Sequence, residues 1–103
     1  MHAIVRRYEG IDTKRTDELT RKVGESLTPR LRKLDGFGGY FLIEAGDGVM
    51  SSLGLFESAE QARESTTIAA SWVRDEKLET AFPNPPKITE GKVVAQKNGF
   101  ATV

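Results

Sequence analysis

Two consecutive strand-length segments of this chain, residues 37–44 and 49–57, carry large apolar side chains on both faces. Successive side chains of a strand point to opposite faces of the sheet. Phe37, Phe41 and Ile43 are therefore predicted on one face of the first segment. Tyr40 and Leu42 are predicted on the other face, so both faces of this strand must pack against other parts of the structure to be shielded from water.

The second segment repeats this two-sided pattern. Leu53 and Leu55 alternate with Met50 and Phe56. The short polar loop at 46–48 joins the two segments, and this arrangement is typical of a β-hairpin. A layer of helices can cover only one face of such a hairpin, so the other face would remain an exposed apolar patch.

A helix is predicted on the N-terminal side of the hairpin, over residues 13–34. Its apolar residues recur every three or four positions, which places them on one stripe: Leu19, Val23, Leu27, Leu31 and Leu34. Pro29 lies inside this helix, where it removes a backbone hydrogen bond and crowds the preceding turn. We therefore expect a kink or short break near Leu27. Gly36 is suited to the left-handed position that ends a helix.

A second helix is predicted to start at Ser58, because Gln61 follows at capping-box spacing. Its expected buried stripe comprises Ala62, Thr66, Ala69 and Val73, with Trp72 alongside. The prolines of the segment 83–86 require the helix to end before them.

Strands at both ends complete the pattern, one over residues 2–9 and one over residues 87–96. The order βαββαβ predicts an α+β, ferredoxin-like domain over residues 1–97, with an antiparallel sheet ordered 4-1-3-2 and both helices on one face. Residues 98–103 are expected to form a loose tail. The second apolar face predicts a homodimer, in which two sheets pack face to face.

Composition narrows the function. Lysine plus arginine and aspartate plus glutamate number 15 each among 103 residues, so no global positive field favours nucleic acid or an anionic membrane. The chain contains no cysteine, which excludes disulfides, thiolate metal sites and a cysteine nucleophile. No apolar stretch follows the N-terminal residues, so we expect a cytoplasmic protein.

The chain resembles the antibiotic-biosynthesis-monooxygenase-like proteins of the dimeric α/β-barrel superfamily. The resemblance covers residues 2–96. It depends on Gly36-Phe37-Gly38-Gly39-Tyr40, on Leu55-Phe56-Glu57-Ser58 followed by Ala62, and on Trp72-Val73, with a smaller contribution from 85–94. Members of this family oxidise aromatic phenols without metal or flavin, oxidise quinols, or bind and degrade haem, and many have no known activity.

The resemblance implies a homodimeric monooxygenase-like protein, without a cofactor, that oxidises a phenolic or quinol-type small molecule in an apolar pocket. The pocket is expected between helices and sheet, and its substrate-binding candidates are Trp72, Tyr40, Phe56, Tyr8 and Arg6. No catalytic residue is assigned. The alternative is a non-catalytic, small-molecule-binding or stress-associated dimer of the same fold, with a hydrophobic or aromatic ligand.

Haem binding ranks third. Haem-binding members carry an axial histidine late in the second helix and an asparagine on the first strand. Residues 58–82 contain no histidine, and residues 2–9 contain no asparagine. The one histidine, His2, has no second ligand pattern around it, so no metal site is predicted and no role is assigned to it.

Arg6 and Arg7 point to opposite faces of the first strand, so one of them enters a half-buried environment. The sequence does not decide which. A buried arginine needs a partner. A structural pair with Glu44, Glu57 or Glu90 is favoured over a bound anionic substrate.

Overall fold

The computed structural model describes residues 1–97, so the predicted tail at 98–103 lies outside the described residues. Four strands and three α-helices follow one another in the order β1 (His2–Tyr8), α1 (Thr16–Lys22), α2 (Thr28–Arg32), β2 (Phe37–Gly46), β3 (Val49–Phe56), α3 (Ala59–Asp75) and β4 (Lys87–Lys92). A 3-10 turn at Thr13–Arg15 precedes α1, and a π-helical segment at Val23–Leu27 joins α1 to α2.

The strands form one antiparallel sheet in the order β2-β3-β1-β4, which is the predicted order viewed from the other edge. The ferredoxin-like arrangement is therefore confirmed. Buried residues of β1 and β3, among them Ile4, Met50 and Phe56, point toward the helices. The helices cover this inner face of the sheet, and the core lies between the two layers.

The first helical region keeps its predicted stripe, since Leu19, Val23, Leu27 and Leu31 are all buried. The predicted disturbance near Leu27 is a widened π turn rather than a break. The Thr28 N–H donates to the Val23 carbonyl, five residues back, and Pro29 occupies the first turn of α2. Because proline has no N–H, this is a position where the normal α-helical bond cannot form.

The second helix starts as predicted, with the Ser58 hydroxyl accepting a hydrogen bond from the Gln61 N–H at 3.3 Å.

The buried face of this second helix differs from the prediction. Besides Ala62 and Ala69 it comprises Ser65 and Trp72, while Thr66 and Val73 are only half-buried. The helix is rotated so that the large indole ring faces the core.

Phe37 lies on the opposite face from the one predicted. A β-bulge between Phe37 and Gly39 breaks the alternation of β2, so that Phe37 pairs with Phe56. The two rings make an edge contact, with their centroids 5.9 Å apart. Phe37 therefore belongs to the core, whereas Phe41 stays on the outer face.

The last strand is shorter than the predicted 87–96, since β4 ends at Lys92. One further backbone bond joins the Val93 N–H to the Met1 carbonyl at 2.9 Å. The Val94 side chain is exposed. The register of the β1–β4 pair ends with His2 of β1 opposite Lys92.

The outer face of the sheet is apolar and uncovered by helices, as predicted. Phe41, Leu53 and Val5 form one row across three neighbouring strands. Phe41 and Ile43 are 56% and 50% exposed, so large side chains on this face are open to water in the single chain. This is the surface that the sequence predicts to be covered by a partner.

Candidate functional site

A narrow pocket lies between the inner face of the sheet and the helices. Together with open solvent at its mouth it measures about 400 Å³, of which about 20 Å³ is open to the centre of a water molecule. That is room for about one water. Its apolar wall comprises Leu19, Val23, Leu27, Leu42, Met50 and Val73.

Four of the five predicted binding residues line this pocket: Arg6, Tyr8, Tyr40 and Trp72. Phe56 does not line it. Phe56 packs with Ile4 and Ala62 in a separate cluster, so the expectation that it lines the pocket is wrong. Phe56 faces the inner side of the sheet, as does the pocket residue Met50 on the same strand. Alternation along a strand predicts the face of each residue but not which positions along that face border the pocket.

Arg6 is the arginine that faces inward, and it is 2% exposed. Its Nη1 donates to the Ser65 hydroxyl and to the Thr66 hydroxyl, both at 3.1 Å. Ser65 in turn donates to the Ala62 carbonyl, which leaves its oxygen as the acceptor for Arg6. Arg7, on the outer face, pairs with Glu9 at 2.9 Å.

The expected structural pair between the buried arginine and a glutamate is not formed. No ion pair involves Arg6 within residues 1–97, and its Nε has no hydrogen-bond partner there. Glu90, one of the three predicted partners, pairs instead with Arg63 at 2.9 Å. The guanidinium charge is thus held by neutral hydroxyl groups, which do not neutralise it.

Two tyrosine hydroxyls accompany this charge. Burial raises the pKa of Tyr8 and of Tyr40, and the Arg6 guanidinium partly offsets that rise. Both tyrosines therefore stay protonated at neutral pH and can donate hydrogen bonds. Ser52, directly opposite Arg6 in the β1–β3 ladder, adds a buried hydroxyl, which also partly offsets the raised pKa of Tyr40.

Trp72 is fixed from the helical side. Its Nε1–H donates to the Ser26 hydroxyl at 2.7 Å. The hydroxyl hydrogen of Ser26 has two acceptors in reach, the Lys22 carbonyl at 2.9 Å and a Glu76 carboxylate oxygen at 2.8 Å. Because Ser26 lies in the π-helical segment, this widened turn ties the first helical region to α3 beside the pocket.

Phe82 completes the aromatic wall of the pocket and is not among the binding residues predicted from the sequence. Its ring centroid lies 5.0 Å from that of Tyr8 and 6.3 Å from that of Trp72. It belongs to the loop between α3 and β4, where hydrophobic periodicity gives no signal. An aromatic residue directly before the proline-rich segment was the only hint.

His2 lies away from the pocket. Its Nε2 is buried without a hydrogen-bond partner, 3.8 Å from a carboxylate oxygen of Glu90. No group of three or more histidine, aspartate and glutamate side chains within residues 1–97 could hold a metal ion. None of the helices in that range has the length and apolar character needed to cross a membrane.

Solved structures provide the comparison with known proteins. A monooxygenase from the gene ActVA-Orf6 of Streptomyces coelicolor, in complex with nanaomycin D, matches with a TM-score of 0.71 and 16% identity, over 94% of this chain and 90% of that one. A putative antibiotic biosynthesis monooxygenase from Bordetella bronchiseptica matches with a TM-score of 0.72 and 14% identity, over 91% and 97%.

A dimeric ferredoxin-like protein from an uncultured marine organism also matches, with a TM-score of 0.67 and 14% identity, over 94% of this chain and 97% of that one. No family model and no curated protein matches the sequence. The chain therefore has the antibiotic-biosynthesis-monooxygenase-like fold, as the resemblance implied. Identities this low do not transfer an activity.

Replacing Ser26 by alanine removes the acceptor of the Trp72 indole N–H, which is left buried and unpaired. We expect the free energy of unfolding to fall by about 1–3 kcal/mol. Urea denaturation followed by circular dichroism measures it. Ser71→Ala is the control, because Ser71 accepts only an exposed bond from Arg74 at 3.2 Å. Equal effects of the two substitutions would contradict the role of Ser26.

Tyr8 and Tyr40 are the only tyrosines of the chain, so tyrosine absorbance reports on the pocket alone. Because burial raises both pKa values, the folded protein should show no tyrosine ionisation near pH 10. The unfolded chain titrates at about 10. The folded state then binds more protons than the unfolded state above that pH, so stability falls as pH rises further. Absorbance at tyrosinate wavelengths, with and without denaturant, tests this, and ordinary ionisation in the folded protein would refute it.

Proposed function

We propose that this protein is a homodimeric, monooxygenase-like enzyme that oxidises a phenolic or quinol-type small molecule with dioxygen, without metal or flavin. The observation that carries the proposal is the uncompensated charge of Arg6 in the lining of an apolar, aromatic pocket. That combination suits an aromatic ring bearing an oxygen that becomes negatively charged. The absence of cysteine supports a cytoplasmic location.

Oxidation of a phenol by dioxygen needs only a few contributions from the protein, because the phenolate itself is the electron donor. A phenolate can pass one electron to dioxygen, giving a phenoxyl radical and superoxide. Their recombination forms a C–O bond, and the resulting peroxide anion takes up the proton that the phenol released. The O–O bond then breaks, and the outer oxygen leaves as water together with the ring C–H hydrogen, which gives a quinone that keeps the other oxygen atom. Arg6 favours the phenolate over the phenol, the two tyrosine hydroxyls orient its oxygen, and the apolar wall excludes water.

A specific observation favours the alternative, a non-catalytic binding protein of the same fold. The polar groups that line the pocket are the Arg6 cation and two tyrosines whose raised pKa keeps them protonated. None of them is a base at neutral pH. A pocket of this kind can hold an anion without turning it over.

Dioxygen uptake on a panel of hydroquinones and polycyclic phenols distinguishes the two candidates. For the enzyme we expect uptake, with Tyr40→Phe lowering kcat/KM by about tenfold or more through loss of one hydrogen bond to a charged oxygen. Thr67→Ala, exposed on α3 and outside the pocket, should leave it unchanged. Thermal stabilisation by these compounds without oxygen uptake would establish the binder instead.

The homodimer is proposed to form through the outer face of the sheet. Support comes from the outer-face row of exposed Phe41 with half-buried Leu53 and Val5, and from the similarity to a dimeric ferredoxin-like protein. Two such faces packed together bury the apolar patch that each chain leaves open. The pockets lie on the helix side of each sheet and stay accessible.

Phe41→Asp places a charge in the centre of that interface, so we expect the dimer to dissociate to a folded monomer at micromolar concentration. Light scattering coupled to gel filtration gives the mass. Ile88→Asp is the matched control, because Ile88 is similarly exposed, at 46%, but lies on the helix side of β4. A monomeric wild-type protein would overturn the proposed assembly.

A further inference from the structure

A second cavity adjoins the inner pocket and shares part of its wall. Tyr8, Ala69, Val73 and Phe82 line both spaces. The second space, the outer groove, offers about 400 Å³ to the centre of a water molecule, against about 20 Å³ in the inner pocket. A wide, open groove therefore meets a narrow, nearly filled pocket across a common set of side chains.

Phe82 is the shared residue on a loop. Its backbone is fixed, since its N–H donates to the Leu78 carbonyl at 3.0 Å, and Pro83 follows it. Two residues on, the Asn84 side chain donates to the Glu9 carbonyl at 3.1 Å. A held backbone leaves the side-chain torsions of Phe82 as the means to change the opening between the two spaces.

The two spaces differ in chemistry. The lining of the inner pocket includes the two tyrosines and Arg6, whose guanidinium pairs with no carboxylate within residues 1–97. The outer groove is mostly apolar, with Ala70, Ile88 and three prolines at 83–86 in its wall. A molecule that filled both spaces would need a negatively charged head and an apolar tail.

We infer that the inner pocket and the outer groove are one bipartite site for an elongated aromatic anion. Because the inner pocket alone has room for about one water, the ring of the ligand takes the place beside Tyr8 and Trp72 that the Phe82 side chain vacates by rotation. Its charged oxygen lies at Arg6, and its apolar tail passes into the outer groove. This inference rests on the proposed use of the inner pocket as a ligand site. It makes Phe82 and the residues of the groove the determinants of tail length, and it does not depend on turnover.

The probes are 4-alkylbenzoates with tails of zero to eight carbons, which are anionic at pH 7 and carry no phenol to oxidise. Binding is followed by fluorescence of Trp72, the only tryptophan of the chain, which lines the inner pocket. We expect the dissociation constant to fall by about threefold to fourfold for each added methylene, until the groove is filled. The matching 4-alkylbenzyl alcohols, which are neutral, should bind at least tenfold more weakly.

Ala70→Phe fills the outer groove without touching the inner pocket, because Ala70 lines only the groove. It should abolish the gain from longer tails and leave binding of unsubstituted benzoate unchanged. Thr67→Phe, on the same helix and outside both spaces, is the matched control and should keep the full dependence on tail length. Arg6→Met should remove the preference for benzoate over alcohol.

The outcomes separate this inference from the proposed function. A tail-length dependence that Ala70→Phe abolishes, with no oxygen uptake on any phenol, supports the bipartite site and overturns the enzyme. Oxygen uptake with no dependence of benzoate binding on tail length overturns the bipartite site alone. Absence of benzoate binding, or equal binding of benzoates and alcohols, also overturns it. The comparison of benzoate with alcohol uses the wild-type protein, so it stands even where Arg6→Met fails to fold.

Discussion

The buried Arg6 charge is the constraint around which the pocket is organised. Burying a guanidinium lowers the stability of the fold unless its N–H groups donate hydrogen bonds. The hydroxyls of Ser65 and Thr66 on α3 accept two such bonds from Arg6. The same bonds connect the central strand β1 to the helix that covers it. They leave the positive charge without a neutralising partner in the described residues, and the proposal of an anion site in the apolar pocket rests on this electrostatic asymmetry.

The two faces of the sheet carry different surfaces, the pocket on the inner face and the apolar patch on the outer face. The inner face, covered by helices, presents Arg6, Tyr8 and Tyr40 to the pocket, whereas the outer face presents Phe41 and Ile43 to solvent. This separation is possible because successive side chains of a strand point to opposite faces of the sheet. The proposed assembly through one face would therefore leave the proposed ligand site on the other face free.

Local pattern was enough to predict the strand order and the stripe of the first helix, because periodicity and hairpin signals are properties of neighbouring residues. The pairing of Arg6 with Ser65 is not local: 59 residues separate the two in sequence. The same limit explains why a glutamate was expected in place of hydroxyl groups. Phe37 was assigned to the wrong face because strict alternation ignores a β-bulge, although Gly38 and Gly39 are residues that commonly mark one.

The π-helical segment has a geometric consequence for the whole N-terminal layer. In a regular α-helix a step of four residues turns about 40° beyond a full circle, so Leu19, Val23, Leu27 and Leu31 would spiral about 120° around the helix. All four are nevertheless buried on one side. The wider turn at Val23–Leu27 rotates less per residue and cancels much of that drift. One locally unwound turn thus lets an exact four-residue spacing remain in phase with a flat surface.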